Sequence, residues 1–250
     1  NEDTIGNVHL VGSVGNDEEG QMVQNVLEDN GVNLVLDPFE NYKTTKIRAI
    51  VTDNKKPMYC HENQGLADYG PNDVDDNIWE KSDHLHMTSY DPERCVEFAE
   101  KASKEGLSIS FNPTQGYFSN DFSEVIEMVD LIQMNRGESE TFRDRNGSLG
   151  SVVDENNVDI VLTHGPAGST IYSRDGIVNH SGFPDEVDNV IDTIGAGDTF
   201  MGGLLTQWLN NKELDENLKV ANAYGAESVK QIGAPNFIDN ENIKMILQDN

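Results

Sequence analysis

The stretch VIDTIGAGDTFMGG, Val190 to Gly203, holds four glycines and two aspartates within fourteen residues. An apolar start, a run of glycines and a helical pattern after them indicate a turn that opens a helix. The first backbone N–H groups of a helix have no partner within the helix, and they lie at the positive end of its dipole. The stretch therefore predicts a helix start at Gly195 to Asp198 that can hold a phosphate.

Other glycine-rich loops fit this stretch less well. A Walker-type phosphate loop needs Gly-Lys-Ser/Thr, and the chain contains no Gly-Lys dipeptide. A dinucleotide fingerprint that begins at Gly195 would need Gly or Ala where Phe200 stands. A structural alternative remains open, in which Asp198 caps the helix and the glycines only permit a tight turn.

The rest of the chain alternates between strand and helix patterns. Short apolar runs predict strands, and apolar residues at helical spacing predict helices. Two hairpins are also predicted, 46–52 with 57–60 and a second around Arg174-Asp175-Gly176. The strands are predicted at 8–15, 83–89, 107–113, 131–134 and 159–163, and the helices at 20–31, 89–106, 122–129, around 204, at 217–231 and from 240. Repeated strand-helix-strand units predict an α/β fold with a mostly parallel, doubly wound sheet flanked by helices, with ligands at the carboxyl ends of its strands.

The composition limits the classes of partner. The 45 acidic and 17 basic residues give a formal net charge of −28, which repels nucleic acid and anionic lipid. We expect no nucleic-acid partner and no membrane partner. No apolar run approaches 18 residues and no signal peptide is visible, so we expect a cytoplasmic protein. The two cysteines, Cys60 and Cys95, lack the spacing of a zinc site and are expected to be structural.

Several segments occur together in one order along the chain. The central one is Asp192-Thr-Ile-Gly-Ala-Gly-Asp198 followed by Thr-Phe. The others are Gly12-Ser-Val-Gly-Asn-Asp-Glu-Glu-Gly20, Phe111-Asn-Pro-Thr-Gln115, Asn135-Arg-Gly-Glu138, Thr163-His-Gly-Pro-Ala-Gly168, Ala221-Asn-Ala223 and Val229-Lys-Gln-Ile-Gly-Ala234. Taken together they resemble the PfkB, or ribokinase-like, family of carbohydrate and nucleoside kinases, and the acid-rich composition resembles that of haloarchaeal proteins.

The resemblance implies ATP-dependent phosphoryl transfer to a hydroxyl of a small sugar or nucleoside. Asp198 would be the general base, and the N–H groups of Gly195, Ala196 and Gly197 would form the anion hole. Asp192 would lie beside a monovalent cation, K⁺ or Na⁺, that orders this hole. A homodimer formed through lid strands is also implied.

The same resemblance assigns the remaining ligands. Asn135 and Glu138 would be linked to Mg²⁺ and phosphate, and Mg²⁺ is commonly held by one or two carboxylates and the substrate phosphates. Taken alone, the pair could also be a capped turn. The residues implied to bind the nucleotide are Asn135, Thr163, Gly165, Gly168 and Asn222. Gly202 and Gly203 are expected to allow close helix packing.

The start of the chain departs from the family pattern. The family's first strand, with its sugar-binding acid and Gly-Gly segment, has no counterpart, because the only Gly-Gly pair is Gly202-Gly203. We therefore expect a single ribokinase-like domain over 1–250 that is incomplete at its N-terminus, with a partial β lid at about 34–62. Two functional classes stay open, a kinase fragment and a nucleotide-binding protein without sugar phosphorylation. A dehydrogenase lacks a proper fingerprint.

The spacing of His84 and His86 raises one further question. Alternate residues of a strand face the same side, so the two imidazoles could bind a metal together. Ordinary packing and hydrogen bonding is the alternative, and it is favoured because no third ligand follows.

The charge makes stability depend on salt. At 1 M salt the Debye length is roughly 3 Å, so the repulsion among the carboxylates is quenched. We expect the midpoint of thermal unfolding, followed by circular dichroism, to rise as KCl increases from about 0.01 M to about 1 M. Equal stability at both salt concentrations would contradict this expectation.

Overall fold

The computed structural model describes residues 6–51, 57–62, 68–88, 91–113, 121–184, 190–233, 238 and 240–249. Predictions that involve 52–56, 63–67, 89–90, 114–115 and 234 lie outside these residues. The chain divides into two compact units, Ile5–Lys81 on the one hand and Ser82–Asn250 with Asn1–Thr4 on the other. Within the residues described, no helix is long and apolar enough to cross a membrane.

The smaller unit contains two short sheets. Its elements are β1 (Val8–Leu10), α1 (Glu18–Asp29), β2 (Val32–Leu34), β3 (Lys46–Val51), β4 (Pro57–Glu62) and α2 (Asp76–Lys81). Strands β3 and β4 pair antiparallel, which confirms the first predicted hairpin. The strand predicted over 8–15 ends at Leu10 instead, and β1 pairs in parallel with β2. Strand β2 was not predicted, because three residues are too few to show an alternation.

Asp17 joins the start of α1 to the segment that precedes β3. Its Oδ1 accepts hydrogen bonds from Gly20 N at 2.9 Å and Thr44 Oγ1 at 2.6 Å, and its Oδ2 accepts one from Thr44 N at 2.9 Å. The bonds from Thr44, followed by that from Gly20, hold the pKa of Asp17 below its ordinary value. A Cβ on Gly20 would stand 2.0 Å from the carbonyl oxygen of Gly15, so this corner also requires glycine. The acid of the Gly12–Gly20 segment therefore fixes the chain around it.

The larger unit is built on one six-stranded sheet. The strands are β5 (His84–Thr88), β6 (Ser108–Asn112), β7 (Leu131–Asn135), β8 (Asp159–Thr163), β9 (Ser169–Ser173) and β10 (Gly176–His180), and they lie in the order β10-β9-β8-β7-β6-β5. Strands β5 to β8 are parallel, while β9 and β10 join the edge as an antiparallel hairpin. Both the mostly parallel sheet and the second hairpin are as predicted.

Helices flank this sheet. They are α3 (Pro92–Glu105), α4 (Ser123–Ile126), α5 (Arg136–Asn146), α6 (Leu149–Asn156), α7 (Ala196–Trp208), α8 (Leu214–Ser228) and α9 (Asn240–Asp249). Helix α3 shows why the sequence encodes them. Asp91 accepts hydrogen bonds from the N–H groups of Glu93 and Arg94, and Gly106 ends the helix with φ 80°. Both end signals follow the usual chemistry of helix caps.

One core cluster lies between the sheet and the pair α7 and α8. Leu131, Val161 and Ile171 contribute from three strands, and α7 supplies Phe200 and Leu204, among others. Because strand side chains alternate, Val161 faces this pair of helices, together with Asp159 and Thr163 of the same strand. Thr163 is the last residue of β8, so this face leads from the core to the carboxyl edge of the sheet.

Helices α5 and α6 were not predicted. Helix α5 reads RGESETFRDRN, and its buried side chains are Glu138, Ser139 and Phe142. Only Phe142 among them is apolar, so the sequence of this segment lacks the helical spacing of apolar residues that would predict a helix. The end signals were present, since Ser148 caps α6 and Gly147 follows α5.

Two adjacent glycines of α7 differ in their surroundings. A Cβ on Gly203 would lie 2.8 Å from Cδ2 of Tyr224, whereas a Cβ on Gly202 would have nothing within 4 Å. Gly203 therefore permits the close approach of α7 to α8, as predicted. Gly202 has no such contact.

This difference gives a matched pair of variants. We expect Gly203→Ala to lower the free energy of unfolding by about 1–3 kcal/mol, because Tyr224 must move. We expect Gly202→Ala to raise it by about 0.5–1 kcal/mol, because alanine restricts the unfolded chain and favours a helix. Denaturant unfolding of both proteins measures the difference. Equal effects of the two substitutions would show that the contact with Tyr224 does not limit the packing.

Candidate active site

A cavity of about 230 Å³ opens at the carboxyl edge of β8, beside the start of α7. It is largely apolar. The residues that line it are Thr163, Gly165, Pro166, Gly168, Gly182, Phe183, Val190, Thr193, Ala196, Gly197, Phe200, Asn222, Gly225, Ala226 and Val229. Six of the predicted site residues are among them: Thr163, Gly165, Gly168, Ala196, Gly197 and Asn222. The fold thus brings together three stretches of the sequence, 163–168, 182–200 and 222–229.

The first turn of α7 forms one side of the cavity. Gly195 precedes the helix with φ 78° and ψ 1°, a left-handed conformation that favours glycine. Among the described residues, no side chain caps this helix end. Ala196 and Gly197 follow as its first two residues, where backbone N–H groups lack helical acceptors. This end has the geometry and the partial positive charge for an anion.

Asp198 is the third residue of α7. The residue at the cap position is Gly195, so the alternative in which Asp198 caps the helix is wrong. Asp198 keeps access to solvent, but nearby protein atoms desolvate its carboxyl group, and this burial raises the pKa above its ordinary value. A carboxylate with a raised pKa accepts a proton more readily, as a general base must.

Asp192 connects the segment before α7 to the turn after α8. Its Oδ1 accepts a hydrogen bond from Ile194 N and its Oδ2 one from Gly233 N, each at 3.0 Å. The carbonyl oxygen of Val229 accepts from Ile191 N at 2.8 Å and Asp192 N at 3.3 Å. The backbone N–H groups that bond to the carboxylate, first that of Ile194 and then that of Gly233, lower the pKa of Asp192. The carboxylate holds the two segments together beside the first turn of α7.

Gly168 lies where two chain segments cross closely. A Cβ on Gly168 would stand 2.1 Å from the carbonyl oxygen of His180, and one on Gly182 would stand 2.5 Å from that of Pro166. Gly165, by contrast, has open space around its Cβ position and φ 62°. The glycines of the 163–168 segment therefore differ: Gly168 is needed for the crossing, and Gly165 for a left-handed turn.

Asn135 and Glu138 form a capping box at the start of α5. Asn135 Oδ1 accepts from Glu138 N at 3.0 Å, and Glu138 Oε2 accepts from Asn135 N at 2.8 Å. Asn135 pairs in register with Thr163 of β8, which places it beside the cavity, although it is not among the residues that line it. Glu138 is buried, so the predicted turn is a capped one without a solvated acid.

The apolar walls of the cavity were not foreseen. Helix α8 contributes Asn222 and Ala226, and Val229, the C-cap residue that follows, lies at a spacing that continues the same helix face. Phe183 and Phe200 provide the aromatic surfaces. The spacing from Asn222 was a usable signal, but nothing near Phe183 distinguished it from an ordinary core residue.

His84 and His86 form hydrogen bonds with serines of β6. His84 contacts Ser108 Oγ through Nδ1 and Ser110 Oγ through Nε2, and His86 Nδ1 contacts Ser110 Oγ, all at 2.8 Å. Burial lowers the pKa of each imidazole to about 4, so both are neutral at pH 7. The residues described contain no cluster of three or more His, Cys, Asp or Glu that could hold a metal. Packing and hydrogen bonding account for both histidines.

Comparison with known proteins identifies the class. Residues 3–241 match the model of the pfkB family carbohydrate kinases. The chain belongs to this family, whose members are phosphotransferases. It is 30% identical over 227 residues to an ATP-dependent ribose-1-phosphate kinase of Halopiger xanaduensis. The aligned region covers 90% of this chain and 75% of that relative.

Solved structures share the fold. A nucleoside kinase of Methanocaldococcus jannaschii superposes with a TM-score of 0.82 at 21% identity, over 98% of this chain and 81% of that one. A putative ribokinase II of E. coli in complex with ATP and Mg²⁺ superposes with a TM-score of 0.78 at 19% identity, over 97% and 83% of the two chains. The fold is therefore ribokinase-like.

The raised pKa of Asp198 has a consequence for stability. A folded-state pKa above the unfolded value means that ionisation is less favourable in the folded protein, so Asp198 opposes folding once the pH exceeds its pKa. We expect Asp198→Asn to unfold at pH 7 at the same denaturant concentration as the wild type or at a higher one. The difference should disappear below about pH 3.8, where the carboxyl group is neutral in both states. A variant that is less stable at pH 7 would contradict the expectation.

Proposed function

We propose that the protein transfers the γ-phosphoryl group of ATP to a hydroxyl of a sugar or nucleoside substrate. The observation that carries this proposal is the cavity, which joins the Thr163–Gly168 segment to the first turn of α7, with Asp198 on the same turn. A protein that only bound nucleotide would have no need of an ionisable group with a raised pKa at this place.

The apolar part of the cavity fits a nucleotide base. Pro166, Phe183, Ala226 and Val229 provide flat or small apolar surfaces, and Asn222 supplies a polar group among them. Pockets with apolar walls and a few placed polar groups are typical of cofactor sites. The phosphates would extend from the base toward Ala196 and Gly197 at the helix start.

Asp198 would accept the proton of the substrate hydroxyl. The oxygen of that hydroxyl forms the new bond to the γ-phosphorus, the bond from phosphorus to the bridging oxygen breaks, and ADP leaves. The N–H groups of Gly195, Ala196 and Gly197 would stabilise the negative charge on the transferred group. Positioning and electrostatics supply most of the rate in such reactions.

The metal would be held by few protein groups. When bound, Mg²⁺ neutralises phosphate charge, and it prefers oxygen ligands and keeps several waters. One protein carboxylate, that of Glu138, would suffice as a ligand, since the nucleotide phosphates and water would provide the other oxygen ligands. Asn135 holds Glu138 in place through the capping box. Asp192 would support K⁺ or Na⁺ binding, because it orders the loop that adjoins the anion site.

The relatives support a substrate that contains ribose. The 30% identical relative is a kinase of ribose 1-phosphate, and nucleoside kinases of the family act on compounds that also contain ribose. In ribose 1-phosphate the phosphorylated C1 leaves the C5 hydroxyl as the primary alcohol. We propose this hydroxyl as the acceptor.

A panel of acceptors tests the proposal. Wild-type protein is assayed for ADP release with ATP, Mg²⁺ and KCl of about 1 M, where surface repulsion is screened. The acceptors are ribose 1-phosphate, ribose, fructose and adenosine, and each product is identified by mass. We expect the highest kcat/KM with ribose 1-phosphate.

Asp198→Asn is the control for the chemical step. We expect kcat to fall by about 10²- to 10⁴-fold, since the general base is lost, while ATP still binds. Turnover of another acceptor would change only the substrate assignment. ATP binding without turnover of any acceptor would instead favour the nucleotide-binding class, and normal turnover in Asp198→Asn would remove this residue from the role.

A further inference from the structure

His180 lies behind the cavity and contacts two of the residues that line it. Its ring centroid is 5.8 Å from that of Phe183, with the planes inclined by 46°. Its Nδ1 lies 3.3 Å from the side-chain amide nitrogen of Asn222. It is thus in contact with both an apolar wall and the polar group of the cavity.

The backbone of Ser181 fixes the tautomer of His180. Nδ1 lies 2.5 Å from the carbonyl oxygen of Ser181. A carbonyl oxygen can only accept, so this nitrogen must carry the hydrogen. A ring lone pair directed at the carbonyl from 2.5 Å would be strongly repulsive, and this contact outweighs the longer one to Asn222.

The hydrogen on Nδ1 of His180 in turn determines the orientation of the Asn222 side-chain amide. Two N–H donors cannot bond to each other, so the amide end that faces Nδ1 must be the acceptor Oδ1. A half-turn of the amide exchanges Nδ2 and Oδ1 without changing its shape. Nδ2 then points away from His180. Asn222 is 7% exposed, and a buried amide donor requires an acceptor.

We infer that His180 is a positioning residue for the nucleotide. It holds the Asn222 amide so that Nδ2 donates a hydrogen bond into the cavity, toward an acceptor nitrogen of the bound base. This inference rests on the proposed function, because it requires that the cavity bind ATP. His180 acts through Asn222 and takes no part in the chemical step.

Two substitutions separate the hydrogen bond from the packing. His180→Phe keeps an aromatic ring beside Phe183 and removes Nδ1–H. His180→Asn keeps an N–H donor one bond beyond Cγ, where Nδ1 stands in histidine. We expect His180→Phe to weaken ADP binding about tenfold in titration calorimetry, the size of one lost hydrogen bond, and His180→Asn to retain most of the affinity. The kcat at saturating ATP should stay unchanged in both.

Variants of Asn222 complete the test. Asn222→Ala and Asn222→Asp both remove the donor, and each should weaken ADP binding. In the Asn222→Ala background, His180→Phe should cause no further loss. His9, an exposed residue of β1, provides the matched histidine control, and His9→Phe should bind ADP as the wild type does.

The outcomes distinguish this inference from the proposed function. If the wild type binds ADP and His180→Phe binds it equally well, the positioning role is wrong and the nucleotide site stands. Independent effects of His180→Phe and Asn222→Ala, or equal losses in His180→Phe and His180→Asn, would also overturn it. If the wild type binds neither ADP nor ATP, the proposed function itself fails.

Discussion

The two hydrogen bonds that Asp192 accepts are the constraint on which the site geometry depends. They connect the loop that leads into α7 with the turn that leaves α8, through Ile194 N and Gly233 N. The cavity lies between these two helices and the edge of β8. Two backbone hydrogen bonds, from Ile191 N and Asp192 N to the carbonyl oxygen of Val229, join the same loop to the end of α8 and so help to fix where the first turn of α7 begins. A helix start must be placed to within a fraction of an ångström to act on a transferred phosphoryl group.

Every strand except β2 and most of the helices could be predicted, because their signals are local. Helix α3 carries Asp91, Pro92 and Gly106 at its ends, and β6 to β8 are apolar runs of the right length. Helix α5 could not be found by periodicity, since it buries a single large apolar side chain, Phe142. The three-residue β2 exists only because β1 lies beside it, which no local pattern records.

The candidate site residues were predicted from short segments, whereas the apolar walls of the cavity that six of them line were not predicted. The turn at Gly195 and the Thr163–Gly168 segment could be seen because glycine and proline are uncommon inside strands and helices. Phe183 and Ala226 are chemically ordinary, and only the fold places them around a cavity. The same holds for the roles within a segment: Gly165 and Gly168 look alike in sequence, but one faces open space and the other faces the backbone of 180–182.

The crossing of Gly168 and Gly182 determines how this cavity can change during evolution. Its wall is formed there by main chain at such close range that neither position can accept a side chain. Substitutions cannot remodel that wall without displacing the β9–β10 hairpin. Variation in the size and polarity of the cavity is therefore left to the walls that side chains form, which include Phe183, Phe200 of α7, and Asn222 and Ala226 of α8. One side of the cavity is in effect a fixed template of main chain, and selection among ligands is left to the side chains of the other walls.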